Sequence, residues 1–252
     1  SGVERAEPGE QTVRGEQRFD IQVSPMMRGT IASEGVMLGY RPVVVRGYGL
    51  VVGLDGTGSS DIQPDVRSEM ISEMARRGIG QVSRGYGHLD PEQMLNSPRT
   101  AVVVVEAIIP PGAVSGTRFD VRVFADPRTG TTSLEGGRLY TTELRPGPLR
   151  TGSVEAKPLA EAKGPLFINP FADTSEVSKS TSIDRNSARI MNGGRVMRDM
   201  PLKLKLARPS HTRASIIQNA INAKFPRERG QRDKTARGES DQSIELTVPP
   251  SY

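Results

Sequence analysis

A chain of 252 residues with 35% hydrophobic residues, 27 Gly and 19 Pro has the composition of one large globular domain or two modest ones, rich in turns. Cysteine is absent, which excludes disulfides, thiolate metal sites and cysteine nucleophiles, and two histidines, His88 and His211, are too few for a histidine-rich metal centre. The formal charge is +5, and no apolar run approaches the ~18 residues of a membrane-spanning helix; the longest, 101–105, is interrupted by Glu106.

Residues 1–18 are polar, lack a hydrophobic period and carry four Glu against three Arg, so a flexible arm is expected. They contain no basic and apolar leader, and any export signal is expected to have been removed. Residues 19–23 alternate apolar and polar as a half-buried strand does, and a loop at 25–28 and a short segment at 29–35 follow. β-Branched and aromatic residues at 43–45 and 48–54 predict strands. The first helix is predicted at about 64–77, with Val66, Met70, Ile71 and Met74 on one face and Pro64 in the first turn. Asp65 and Glu69 lie early in it and Arg76 and Arg77 late, which complements the helix dipole.

Residues 81–99 read as a long loop, and 100–109 as a central strand, its β-branched run too continuous for half-exposure. Pro110 and Pro111 stop it. Strand 117–125 directs Phe119, Val121 and Val123 inward and Asp120 and Arg122 outward; 126–130 has turn chemistry. Further strands are expected at 132–134, 138–144 and 165–168. The polar, Ser/Thr-rich stretch 170–187 is the expected linker. Beyond it, 195–206 reads as a strand with Leu202, Leu204 and Leu206 on one face and Lys203 and Lys205 on the other. Ser210 or Thr212 caps a helix whose stripe is Ala214, Ile217, Ile221 and Phe225, Pro226 ends it, and 243–248 forms a last strand. The expected fold class is α+β: a mixed or antiparallel β-rich domain with one main helix over 19–169, then a small α+β domain over 188–252.

Catalytic signatures are missing. Gly53 and Gly58 stand five apart as in a phosphate-binding loop, but Ser59 occupies the position of the lysine, so the segment reads as a glycine-rich turn. No nucleophile elbow, zinc helix or Ser-x-x-Lys pair occurs. His88 lies in a loop and His211 at a helix start, where the dipole disfavours imidazolium. Asp55, Asp61, Glu106 and Asp120 are scattered carboxylates; Glu106 is expected at a strand edge or in a salt bridge with Arg118 or Arg122. Neither a metal nor a cofactor is expected. The segment 224–239 concentrates six cations against three carboxylates, a net +3. Within it Arg227, Arg229, Arg232, Lys234 and Arg237 are the candidate contacts for an acidic polymer or partner. Nucleic acid is not the expected partner, because aromatics make up only 4% of the chain and acids interrupt the cluster.

An ordered series of motifs carries a family resemblance. Val-Val-Arg-Gly-Tyr-Gly-Leu-Val-Val-Gly-Leu-Asp-Gly-Thr-Gly at 44–58 closely resembles the N-terminal signature of the flagellar basal-body P-ring protein family. Arg-Gly-Thr-Ile-Ala-Ser-Glu-Gly at 28–35, the strand 100–111 ending in paired prolines, Gly-Thr-Arg-Phe-Asp-Val-Arg-Val at 116–123 and Thr-Ser-Leu-Glu-Gly-Gly-Arg-Leu at 132–139 are similar to further blocks. Ala-Lys-Gly at 162–164, Asn-Gly-Gly-Arg-Val at 192–196, Ala-Ile-Asn-Ala-Lys-Phe at 220–225 and Ile-Glu-Leu-Thr-Val-Pro at 244–249 continue the series. Segments 81–99, 170–187 and 227–237 are not family-like, and the family normally continues for a further domain after the match to 248–249.

The resemblance implies a non-catalytic periplasmic subunit of a homo-oligomeric ring, a stationary bushing around the flagellar rod. The implied partners are other copies of the chain, rod and L-ring proteins, and peptidoglycan. The alternative is a divergent cell-envelope binding module that uses the same core to contact an acidic or peptidoglycan partner.

Overall fold

A computed structural model describes residues 19–85, 87, 90–149, 151, 156–168, 184–249 and 251. The expected arm 1–18, His88 and most of the expected linker lie outside these residues. The strands are β1 (Gly35–Leu38), β2 (Val43–Val52), β3 (Thr100–Ile109), β4 (Arg118–Ala125), β5 (Arg138–Pro146), β6 (Ala160–Pro165), β7 (Ser187–Val196), β8 (Leu202–Leu206), β9 (Ala236–Gly238) and β10 (Ser243–Leu246). The helices are α1 (Pro64–Arg76), α2 (Pro91–Leu95) and α3 (His211–Lys224). The mixed α+β class is as expected.

The chain divides into two compact units, Gly39–Pro201 and the remainder, Ser1–Leu38 with Leu202–Tyr252. The first is a closed antiparallel barrel of order β2-β3-β4-β7-β6-β5, with β5 returning to β2. Closure leaves none of the six barrel strands with a free edge. On β3, Val103, Val105, Ala107 and Ile109 point into the barrel, where they meet Val121 and Val123 of β4, Leu139 and Leu144 of β5 and Ile190 of β7. The interior is filled by side chains. Val102 points outward yet is also buried, because α1 lies on that wall with Val66, Met70 and Met74 against Leu50 and Val102. Burial on both faces explains the unbroken apolar run of β3. Ion pairs link the end of α1 to β5: Glu73 lies 3.6 Å from Arg145, and Arg77 lies 3.8 Å from Glu143.

The second unit is a four-stranded antiparallel sheet, β1-β8-β10-β9. One face packs on α3, and Leu204, Leu206, Ala214, Ile217, Ala236 and Ile244 form its core. Ser210 caps α3, its hydroxyl accepting from the Arg213 N–H at 3.3 Å. Lys203 and Lys205 alternate onto the other face, where Lys205 lies 5.7 Å from the Phe19 ring.

Several expectations need correction. Residues 19–23 form no strand; the Phe19 N–H donates one long bond, 3.4 Å, to the Ala207 carbonyl. The run 195–206 is two strands in different units, because Pro201 interrupts the ladder and the intervening Asp199 accepts from the Ser115 N–H at 2.6 Å. Residues 132–134 are not a strand, although Thr132 and Leu134 donate to the carbonyls of Thr57 and Arg185. The expected loop 81–99 contains α2, whose Asp90 cap accepts from Glu92 N–H at 2.9 Å and whose Leu95 is fully buried. The two compact units divide at Gly39 and Leu202.

The turn after β4 is fixed by Asp126, which is only 4% exposed. Its carboxylate accepts from the Arg128 backbone N–H at 3.0 Å, from Nε at 2.9 Å and from Nη2 at 2.7 Å. These bonds hold the Asp126 carboxyl below the usual carboxylate range despite its burial. A lowered folded-state pKa stabilises above the ordinary value and is lost as pH falls through the folded one. Asp126→Asn should therefore cost about 1–2 kcal/mol at neutral pH, with Arg128 free to solvate. In denaturation series, the gap between wild type and variant should close as pH drops below the normal carboxylate pKa of about 4.

Candidate interaction surfaces

The basic segment begins where α3 ends, at Phe225 and Pro226, and is held by polar side chains of that helix. Asn222 clamps Ala236, its Nδ2 donating to the carbonyl at 2.9 Å and its Oδ1 accepting from the N–H at 2.8 Å. Gln218 Oε1 accepts from the Gly238 N–H at 2.7 Å. Inside the loop, Gln231 is 6% exposed; it accepts from the Glu228 N–H at 3.1 Å and donates to Thr235 at 3.4 Å. Glu228 also accepts from the Ser251 backbone N–H and hydroxyl. A buried polar hub of this kind fixes the loop while its charged residues stay outside.

Arg227, Arg229, Arg232 and Lys234 are exposed on this loop, and none has an ion-pair partner among the described residues. Arg237 stands apart: it lies in β9 and pairs with Glu245 at 3.4 Å. Nearby, Lys203 donates to both carboxylate oxygens of Glu239 at 2.9 Å. This bond and one from Ser243 hold the Glu239 carboxyl below its usual range, and Glu239 raises Lys203. The positions on α3 that order the loop, Gln218 and Asn222, escaped sequence reasoning because nothing local marks a helix amide as a clamp for a distant strand.

Beside the loop, the helix-bearing face of the same sheet opens into an apolar groove of about 330 Å3. Met37, Leu202, Leu204, Ile221, Leu246 and Val248 line it, with Thr235 at the loop's end.

The other residues singled out in the sequence have structural roles. At the two ends of the glycine-rich turn, Leu54 N–H donates to the Arg99 carbonyl, Gly58 to that of Pro98 and Ser59 to that of Thr100, at 3.0, 2.8 and 3.1 Å, so these amides are engaged within the chain. Amides already bonded to carbonyls cannot cradle a phosphate. Glu106 pairs with Arg46 at 2.6 Å, not with Arg118 or Arg122. β3 is flanked on both sides, so Glu106 sits opposite Arg46 on β2 and Arg122 on β4, and Arg122 lies over the Phe124 ring. Asp120 accepts from the Asn192 N–H at 2.8 Å, and Asp55, Asp61 and His211 are exposed. Among the described residues, no three His, Asp or Glu side chains are grouped to hold a metal ion. Likewise, no helix among them is long and apolar enough to cross a membrane.

Comparison with known proteins places this architecture. The sequence profile of the family described as flagellar P-ring protein matches residues 31–252. The flagellar P-ring protein of Anaeromyxobacter dehalogenans (strain 2CP-C) is 33% identical over 225 residues, covering 85% of this chain and 53% of the relative. That of Agrobacterium fabrum is 32% identical over 211 residues, with 81% and 52% covered. That of Caulobacter vibrioides is 32% identical over 197 residues, with 75% and 49% covered. The chain spans about half the length of the curated relatives it matches. Barrel, helix-backed sheet and connecting motifs all fall within the matched residues, and the chain belongs to the flagellar P-ring protein family.

Proposed function

We propose that this chain is a structural subunit of the flagellar P ring, a stationary periplasmic bushing around the rod that assembles by packing copies of itself and acts without catalysis. The observation that carries the reading is the family match over residues 31–252. The barrel suits a mechanical part: its interior is packed with aliphatic side chains, and its closed ladder leaves no barrel strand edge to pair uncontrolled. A ring of identical subunits requires two complementary faces on each copy, and such faces need no reactive group. Rod and L-ring proteins are then the neighbours, and peptidoglycan surrounds the ring.

A second element of the reading concerns the loop 227–234. Four exposed cations without ion-pair partners, on a loop fixed by buried Gln231, suit contact with an acidic partner in the envelope.

Basal bodies isolated from the bacterium that encodes this chain test the main reading. The chain should co-purify with rod and L-ring proteins in them, and its deletion should abolish swimming. Basal bodies free of the chain in cells that still swim after the deletion would refute it.

A further inference from the structure

We infer that the apolar groove of the α+β unit and the cationic loop at its rim form one docking site for a protein segment whose apolar side chains are flanked by carboxylates. The inference rests on the reading of the loop as a contact for an acidic partner and names that partner's class.

The groove follows from the sheet's dimensions. Four strands about 4.8 Å apart make a surface wider than the ~10 Å cylinder of a single helix. α3 covers Leu206, Ile244 and Ala236, all of which are fully buried. The register places Met37 opposite Leu204 and Leu202 opposite Leu246, so the apolar rows continue past the helix onto β1 and toward the ends of β8 and β10. There Met37 is 43% exposed, and Leu202 and Leu246 are half-buried. The space left, about 330 Å3, lies within the range of roughly 300–1,000 Å3 typical of binding clefts.

Charge at the rim selects the occupant. The loop leaves the groove wall after Phe225 and rejoins it at Thr235, so Arg227 and Lys234 lie at the two ends of the loop, close in sequence to these lining residues. Asp233 is the acidic exposed member of this set, and Glu228 is engaged by Ser251. The loop beside the groove therefore carries four exposed cations, Arg227, Arg229, Arg232 and Lys234, against one exposed carboxylate. A glycan would lose the hydration of its hydroxyls against an apolar wall. A flat lipid surface does not enter a concavity. An amphipathic protein segment satisfies both wall and rim.

The test uses the whole chain and a fluorescein-labelled 16-residue peptide with Leu at helical spacing and Glu at the remaining positions. Versions with Lys in place of Glu, and with the Leu positions scrambled, serve as controls. Fluorescence anisotropy should show saturable binding of the Glu peptide alone, weakening as salt rises. Met37→Glu, at an exposed position, and the surface pair Arg227→Glu/Lys234→Glu should each weaken it roughly tenfold or more with the melting temperature retained.

Absence of binding, or equal binding of the control peptides, overturns the inference. It also falls if vesicles of anionic phospholipid bind in place of the peptide. A rise in solution mass with concentration that Met37→Glu abolishes would show a second copy as occupant and overturn it too. Purified peptidoglycan sacculi separate this inference from the reading beneath it. If the chain pellets with sacculi and the Arg227/Lys234 reversal releases it while no peptide binds, the loop reading stands and the groove inference falls. If the reversal changes neither measurement, both fall.

Discussion

Replacing Gly58 by Ala should cost about 3 kcal/mol or more and lower the denaturation midpoint of the barrel unit accordingly. A Cβ at this position would lie 1.9 Å from the Thr100 carbonyl oxygen, 2.7 Å from its carbon and 2.8 Å from the Pro98 carbonyl oxygen. All three are backbone atoms, so no side chain can swing aside. They also cannot retreat as a segment, because Thr100 is paired with Val52 at the end of a ten-residue ladder between β2 and β3. The turn itself must move, and with it go the Gly58 bond to Pro98 and the Ser59 bond to Thr100. Gly130 provides the control. It lies in the neighbouring turn, bonded to Ser59, but a Cβ there would meet only the Ser59 side chain, at 3.4 Å. Gly130→Ala should therefore shift stability by less than about 1 kcal/mol. Equal effects at the two positions in urea titrations would refute the close-approach account and leave the glycine-rich turn without its structural explanation.

What could be read before folding was what depends on neighbours in sequence. The stripe Val66, Met70 and Met74 announced α1, and the alternation of Phe119, Val121 and Val123 announced β4, because each records a period of one element against one apolar layer. The pairing of elements left no such record. Gly35–Leu38 is too short to stand out, and its membership of a sheet with β8 depends on contact across more than 160 intervening residues. Glu106 had arginines available on both strands that flank it, β2 and β4, and only the packing of β3 between them decides that Arg46 takes it. Likewise Leu202, Leu204 and Leu206 read as one apolar face, but the alternation could not show that α3 covers one end of that face and leaves the other open. The basic loop was legible as composition. Its order was not, since it comes from Gln218, Asn222 and Gln231, ordinary polar residues in isolation.

The second large effect is expected where β4 meets β7. Phe119 and Gly194 are directly paired across these strands, and the ring occupies the space a side chain at 194 would need. A Cβ on Gly194 would lie 2.1 Å from one ring atom and 2.5 Å from two others. The ring is nearly buried in the barrel core, so expelling it both empties a volume inside and exposes an aromatic surface. Gly194→Ala should cost about 3 kcal/mol, and Phe119→Leu alone about 1–2 kcal/mol for the volume removed. The double variant should recover roughly 2 kcal/mol of the summed cost, because each change removes what makes the other harmful. Strict additivity in equilibrium unfolding would refute the contact. The loss should also appear as a global one. β4 is bonded to β3 and β7, and β7 to β4 and β6, so neither can peel away to relieve the misfit locally. Hydrogen exchange should then accelerate together around the whole barrel.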